Sequence, residues 1–245
     1  MKKICLIGGS GVLGKYFKKK LSINNELHVA DIGLKDSKKS KNLNTYFLDI
    51  TNEKKVQEFF YKNRKKPIDI LINNSAFTTE MAAKSKSSKD IFSTEIFDKT
   101  MQVNLRGVFL CCKNFIKYHH KKNIDQRVIN ISTMYALHSP HHDIYKNENF
   151  FSSISYSSSK AGIVGLTKWL ATKYATENTN FNIISPAGVL NNQKRIFIKN
   201  YSELIPKKKM AKPEQIFSAI SFLISKESDY VVGQNIYVDG GFTSW

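Results

Sequence analysis

A short apolar run, Lys3 to Ile7, leads directly into Gly8-Gly9-Ser10-Gly11-Val12-Leu13-Gly14, and an amphipathic stretch then continues to about Leu21. This order of strand, glycine-rich turn and helix is accepted by few folds. Glycines at Gly8, Gly11 and Gly14 let the backbone approach a pyrophosphate at the helix N-terminus. Taken alone, the turn could be no more than a tight connection. A second strand, Leu27-His28-Val29-Ala30-Asp31, follows and ends in an acid about 20 residues beyond the glycines, where such an acid binds a ribose 2′-hydroxyl and disfavours a 2′-phosphate. Asp31 therefore argues for NAD over NADP, its plain alternative being a helix-capping aspartate. Lys35, Lys38 and Lys39 stand close enough to soften the preference.

Strand and helix keep alternating downstream. Strands are expected at Asn44 to Leu48 (followed by Asp49-Ile50-Thr51), Ile68 to Ile72, Val128 to Thr133, Phe181 to Ser185 and Asn235 to Val238. Helices are expected over Asn52 to Arg64, from Ser93-Thr94-Glu95 through Asn104 toward His119, around Tyr156, and over about Pro213 to Ser225. The run Ile68-Asp69-Ile70-Leu71-Ile72 is the kind of strand that a parallel sheet buries on both faces. Asn73-Asn74-Ser75-Ala76 follows it, placing amides at a strand's carboxyl end, where an open α/β sheet binds its ligand. The fold class is thus α/β: a single-domain Rossmann fold, a doubly wound parallel sheet with helices on both faces. At 245 residues, without a Pro/Gly/Ser-rich linker, the chain reads as one domain over 1–245.

The formal charge of +18 invites a nucleic-acid or membrane partner. Only Arg64, Arg106, Arg127 and Arg195 are arginine, however, and the lysines are scattered over nearly every segment. Base readout and bidentate phosphate recognition favour arginine, so the charge reads as solvated surface, with Lys84 to Lys89 a polar Ser/Lys-rich loop. The first apolar stretch is too short for a signal peptide and none later reaches a membrane span. Cys5, Cys111 and Cys112 lack metal-ligand spacing and fit a reduced, cytoplasmic protein.

Tyr156-Ser157-Ser158-Ser159-Lys160 precedes the apolar run Ala161 to Leu166. Helical spacing places the phenol and the ammonium, four residues apart, on one face. A free phenol titrates near pH 10, and a neighbouring positive charge is expected to draw that value toward neutrality. Such a group can take a proton from an alcohol or return one to a ketone. An exposed helix turn would show the same pattern.

Together these motifs resemble the short-chain dehydrogenase/reductase family over essentially the whole chain. Asp49, Asn73 to Ala76, Val103-Asn104-Leu105, Asn130 to Thr133, Tyr156 to Lys160, Ser185-Pro186-Ala187-Gly188-Val189 and Gly233 to Gly241 carry the likeness beside the glycine turn. The resemblance implies a catalytic tetrad: Tyr156 exchanging the substrate proton, Lys160 lowering its pKa and holding the nicotinamide ribose, a hydroxyl at Thr133 bonding the reacting oxygen, and Asn104 positioning a water. Ser132 is the fallback for Thr133, and a buried amide satisfying nearby backbone is the other reading of Asn104. Gly8, Ser10, Gly11, Val12, Leu13, Gly14, Asp31, Asp49, Ile50, Asn74, Ser75, Ala76, Tyr156, Lys160, Pro186, Gly188 and Val189 would bind NAD. Departures lie near the cofactor: Ile7, Val12, Ser75, Ala76, Ala187 and Asn191 replace commoner family residues.

Two loops extend the likeness to a subgroup of flagellin-modification and nonulosonic-acid (legionaminic-type) oxidoreductases: one at about 134–153, one at about 190–210, with the ending Asp239 to Trp245. That resemblance implies a sugar substrate, anionic or nucleotide-linked, in surface-glycan biosynthesis. Thr133, Tyr135, His138, His141, Tyr145 and Gln193 would contact it, the histidines being equally readable as surface residues. No metal is expected, since His141 and the adjacent His142 cannot share a helical face and no cysteine accompanies them. Lys194, Arg195, Lys199 and Lys207 to Lys209 make the second loop a candidate lid. The family likeness also implies a homotetramer or homodimer paired through the helices around Asn104 and Tyr156. Two other functions share these motifs: a sugar epimerase or dehydratase of the extended family, which the compact length and the Val238 to Gly241 ending oppose, and a non-catalytic NAD-binding scaffold, which an intact Tyr156, Lys160 and Asn104 oppose.

Overall fold

The structure, a computed structural model, describes residues 1–82, 90–146, 148 and 151–244. The Ser/Lys-rich stretch Lys84 to Lys89 lies outside the described residues, as do 147, 149 and 150 of the loop after Thr133 and Trp245.

In chain order the main elements are β1 (Lys3–Ile7), α1 (Val12–Leu21), β2 (Glu26–Asp31), β3 (Ser37–Ser40), β4 (Leu43–Phe47), α2 (Glu53–Lys62), β5 (Ile70–Asn73), the short α3 (Thr79–Ala82), α4 (Thr94–Met101), α5 (Gly107–His119), β6 (Gln126–Ile131), α6 (Ile154–Tyr174), β7 (Thr179–Pro186), α7 (Arg195–Glu203), α8 (Pro213–Leu223) and β8 (Asn235–Val238). The eight strands form one sheet in the order β3-β4-β2-β1-β5-β6-β7-β8. Every pairing is parallel except β3 with β4. The expected Rossmann sheet is therefore present, with one addition. Ser37-Lys38-Lys39-Ser40 has no apolar alternation to betray a strand. It pairs on one side only, and a polar, lysine-bearing edge resists adding another chain's strand.

Alternation along β1 explains the two layers. Ile4 and Leu6 pack with Phe17 and Leu21 of α1 and with Ile216 and Ile220 of α8. Cys5 and Ile7 face the opposite way, joining Phe59 and Phe60 of α2, Phe115 of α5 and Ile163 of α6. Each such side chain contributes roughly 1.5–3 kcal/mol on burial. A third cluster, with Tyr135, Ile144, Phe197, Tyr201 and Met210, ties together the loops at about 134–153 and 190–210.

The chain leaves β1 toward β2 and β4, then returns to β5 on the other side. Between the carboxyl ends of β1 and β5 the strand order reverses, and ligands of open α/β sheets bind at such a crevice. Here Asn74 N–H donates to Ile7 O at 2.8 Å, and the Asn74 side-chain amide donates to Gly8 O at 2.6 Å.

The helix expected from Ser93 toward His119 is not uniform. α4 and α5 are joined by a π-helical turn over Gln102–Arg106, in which Gly107 N–H donates to Gln102 O. Helices of this type are rare and concentrate at functional sites; this one carries Asn104.

Candidate active site

The carboxyl ends of the central strands open into a cleft of about 1400 Å³. Its cofactor-side wall contains Gly8, Ser10, Gly11, Val12, Leu13, Asp31, Asp49, Ile50, Asn74, Ser75, Ala76, Pro186, Gly188 and Val189, and its inner wall contains Thr133, Tyr135, Tyr145, Tyr156, Lys160 and Gln193. Gly14, Asn104, His138 and His141 do not line it.

The glycine turn is built for an approaching backbone and ligand. Gly8 sits at φ 92°, and a Cβ there would strike the Ser75 backbone. A Cβ on Gly14 would collide with Gly8 O, so Gly14 serves turn closure rather than ligand contact. Around Gly11, by contrast, the space where a Cβ would stand is open. Gly11 is also the N-cap of α1, which has no side-chain cap and no acid in its first turn, while Lys18, Lys19 and Lys20 occupy the last. The first N–H groups and the positive end of the dipole are left to an anion. Asp31 is held at the edge of this turn: Ser10 N–H donates to one carboxylate oxygen at 3.0 Å and Gly33 N–H to the other at 2.8 Å. The acid thus belongs to the nucleotide wall and caps no helix. Neither Lys35 nor Lys38 lines the cleft. These residues fit a dinucleotide whose adenosine ribose lies toward Asp31.

The catalytic end is assembled where β6 meets α6. The Thr133 hydroxyl stands close enough to the Tyr156 phenol to draw its pKa down, and it accepts from Tyr135 N–H at 3.4 Å. Ser132 instead donates to Lys160 O at 3.0 Å, so its hydroxyl is committed to the helix backbone. Thr133, rather than Ser132, therefore faces the proton carrier. Lys160 is 2% exposed and donates to Ile131 O at 2.8 Å. One of its three N–H donors is engaged there, which leaves capacity for a ribose hydroxyl.

The electrostatics differ from the sequence expectation. Burial pushes the Tyr156 phenol well above its ordinary value, the Glu80 carboxylate adds to the rise, and the nearby Thr133 hydroxyl opposes it. Burial also pulls Lys160 down to about 8. The ammonium is turned to Ile131 O, 5.9 Å from the Tyr156 ring centroid, so desolvation dominates both groups. In this state Tyr156 is a phenol holding its proton, the form that donates to a carbonyl.

Asn104 is fully buried. Its amide accepts from Phe77 N–H at 2.6 Å and donates to Phe77 O at 3.1 Å and Ser159 Oγ at 3.2 Å. Its side chain locks the segment after β5 onto α6, the buried-amide reading, and does not itself reach the cleft.

The histidines expected at the substrate are directed elsewhere. His138 packs edge-on against Tyr237, ring centroids 5.7 Å apart, and His141 is exposed. The cleft gains residues not singled out for it, Glu148, Ser152, Phe197 and Tyr201, and Lys194 of the candidate lid lines it as well. Tyr201 OH accepts from Gly188 N–H at 2.6 Å, and its ring lies where a Cβ on residue 188 would be. Helical spacing on α7 puts Phe197 and Tyr201 on one face and could have flagged them; nothing local distinguishes Glu148. Among the described residues no cluster of three His, Cys, Asp or Glu is placed to hold a metal.

A family model described as enoyl-(acyl carrier protein) reductase matches residues 24–243. Post-translational flagellin modification protein A of Campylobacter coli is 30% identical over 98% of both chains. The chain belongs to the short-chain dehydrogenase/reductase family. It is an oxidoreductase fold member acting on CH–OH groups, with relatives that differ in substrate. A 3-oxoacyl-(acyl-carrier-protein) reductase of Buchnera aphidicola is 31% identical over 98% of this chain and 97% of its own. Glucose 1-dehydrogenase 2 of Bacillus subtilis is 32% identical over 72% of this chain and 64% of its own. Among solved structures, a short chain dehydrogenase from Leptospira borgpetersenii with bound NAD+ superposes with a TM-score of 0.87 at 32% identity, covering 99% of this chain and 93% of that one.

Proposed function

We propose that this oxidoreductase uses NAD(H) to interconvert a secondary alcohol and a ketone on a sugar or activated sugar in surface-glycan biosynthesis. The observation that carries the chemistry is the gathering of Thr133, Tyr156 and Lys160 in one cleft whose other end is an uncapped helix N-terminus beside Asp31. Bound NAD supplies or accepts the hydride. Tyr156 gives its proton to the carbonyl oxygen as hydride reaches the carbon, or takes it back in the reverse direction. Thr133 donates to that oxygen and aligns it, and Lys160 offers N–H donors to the ribose. Asp31 supports NAD over NADP, and the NAD+ held by the Leptospira structure agrees with that choice. The sugar reading draws on the flagellin-modification relative and on the hydroxyl, amide and carboxylate groups of Thr133, Gln193 and Glu148 in the cleft. The acyl-carrier relatives favour a second reading, reduction of a 3-oxoacyl thioester.

A homo-oligomer also belongs to this proposal. Phe97, Met101, Leu105, Phe109, Gly162 and Leu166 line an apolar groove of about 670 Å³ across α4, α5 and α6, and a second copy would cover it. Free, buried Cys5, Cys111 and Cys112 are consistent with the cytoplasm.

Absorbance at the nicotinamide band tests the main reading. NAD would be mixed with free, phosphorylated and nucleotide-linked amino sugars, and NADH with their keto forms and with an acetoacetyl thioester. Turnover of a sugar class with NAD preferred is the expected result. Turnover of the thioester alone would establish the second reading instead.

A further inference from the structure

Deep in the substrate end of the cleft, two polar atoms have no partner among the described residues. One is the hydroxyl of Tyr135, a residue 8% exposed; burial raises its pKa and the nearby phenols of Tyr201 and Tyr145 add to the rise, but neither phenol meets its oxygen in hydrogen-bond geometry. The other is Glu148 Oε1, on a side chain that is also 8% exposed. Both residues line the same cleft as Tyr156. Buried polar atoms are almost always paired, and a pair of exceptions beside a catalytic phenol points to groups that a ligand brings.

The surroundings define what the ligand must offer. Glu148 Oε2 pairs with Lys194 Nζ at 3.2 Å, joining the first substrate loop to the segment that opens α7. The rings of Tyr145 and Phe197, with centroids 5.7 Å apart, close the same seam, and Phe197 stacks on toward Tyr201. Lys194 balances the charge of Glu148, so Oε1 requires a hydrogen-bond donor but no cation. A carboxylate oxygen accepts only, whereas a phenol both donates and accepts. Neutral hydroxyl groups meet both demands. An acyl chain meets neither, and would leave two polar atoms sealed off from water without partners.

We propose that Glu148 and Tyr135 form a hydroxyl-reading subsite, in which Glu148 Oε1 accepts from one hydroxyl of a polyhydroxylated substrate and Tyr135 OH bonds a second, while Lys194 fixes the Glu148 carboxylate. The subsite deepens the sugar reading and rests on it. It makes Glu148 and Tyr135 the residues that reject acyl substrates. Sites built to bond a substrate hydroxyl can reject an analogue lacking it by about 10⁴-fold.

The test uses the full chain and two matched alcohols with NAD: a panel of free aldoses (D-glucose, D-galactose, N-acetyl-D-glucosamine), and cyclohexanol, a six-membered ring without further hydroxyls. The wild-type protein is expected to oxidise at least one aldose with a kcat/KM at least 100-fold above cyclohexanol. Glu148→Ala and Tyr135→Phe should each lower the aldose value at least 10-fold and leave the cyclohexanol value within about twofold. Glu148→Gln, which keeps an acceptor oxygen of the same shape, should fall between wild type and Glu148→Ala. Aldose turnover unchanged in both variants would overturn the subsite and leave the sugar reading standing. Equal losses on both alcohols would overturn it too, by showing a structural role. Silence on every aldose, or a wild-type preference for cyclohexanol, would count against the subsite; reduction of an acetoacetyl thioester under the same conditions would remove the sugar reading as well.

Discussion

Burial sets the protonation states of the two central side chains, and this has kinetic consequences. With Tyr156 raised and Lys160 lowered to about 8, carbonyl reduction needs both protons in place. Tyr156 keeps its proton through the neutral range, whereas Lys160 loses its charge as pH rises through about 8. The kcat/KM for reduction, which reports the free enzyme, should be flat below about pH 8 and fall above it. A profile flat to pH 10 would contradict the Lys160 assignment. Thr133→Ser should retain most activity because the hydroxyl remains; Thr133→Val should lose roughly 10²-fold, read as kcat, because one donor at the reacting oxygen is gone. Asp31→Ala should raise kcat/KM with NADP relative to NAD, since the carboxylate that repels a 2′-phosphate is removed. Tyr156, Lys160, Asp31 and Thr133 were all legible in the sequence because motif spacing is local. The direction of His138, the partners of Asn104 and the arrival of Glu148 were not, because each depends on packing between segments far apart in the chain.

Among elements, α5 carries a second buried titratable group with a purely structural task. His119 Nδ1 accepts from Ile68 N–H at 3.2 Å just before β5, and Nε2 donates to Phe60 O at 3.0 Å on α2. The bond accepted at Nδ1 requires the neutral imidazole, and burial holds the pKa down to about 4 against 6.5, although the bond to Phe60 O works the other way. Between those values the unfolded chain binds the proton and the folded chain does not, so stability rises with pH across the window and is lost as pH falls from 6.5 toward 4. The difference amounts to no more than about 3 kcal/mol. Urea midpoints at pH 7 and pH 4.5 should show the drop, and His119→Gln should be destabilised at pH 7 yet lose less on acidification; an equal acid loss in the variant would contradict it. The buried parallel strands and most helices were readable to within a few residues, since such strands are apolar runs and helices carry their own period, but α7 (Arg195–Glu203) lies in a stretch read as a loop. The edge strand β3 was invisible for the opposite reason: Ser37 to Ser40 has no buried face to write a pattern. The π turn at Gln102–Arg106 likewise leaves no residue signature, because its extra residue is absorbed in backbone geometry.

For the whole molecule, the +18 charge is distributed over a sheet protein whose cleft at the strand carboxyl ends is mixed in sign, with Glu80, Glu95, Asp98 and Glu148 among its walls beside Lys99, Lys160 and Lys194. That arrangement suits a small polar substrate better than a polyanion. No helix among the described residues is long and apolar enough to cross a membrane. The apolar groove across α4, α5 and α6 predicts self-association: light scattering at micromolar concentration should give a dimer or tetramer, and Phe109→Glu, on its rim, should lower the mass. A wild-type monomer would refute that interface.

The account turns on Tyr156 as the proton carrier of a hydride-transfer enzyme. Its most direct test is a comparison of wild type and Tyr156→Phe in nicotinamide absorbance during turnover of the substrate class identified above, with NADH binding followed by fluorescence in parallel. The expected result is a loss of at least 10²-fold in kcat with NADH binding kept within about threefold. Full turnover in the variant would contradict the catalytic assignment.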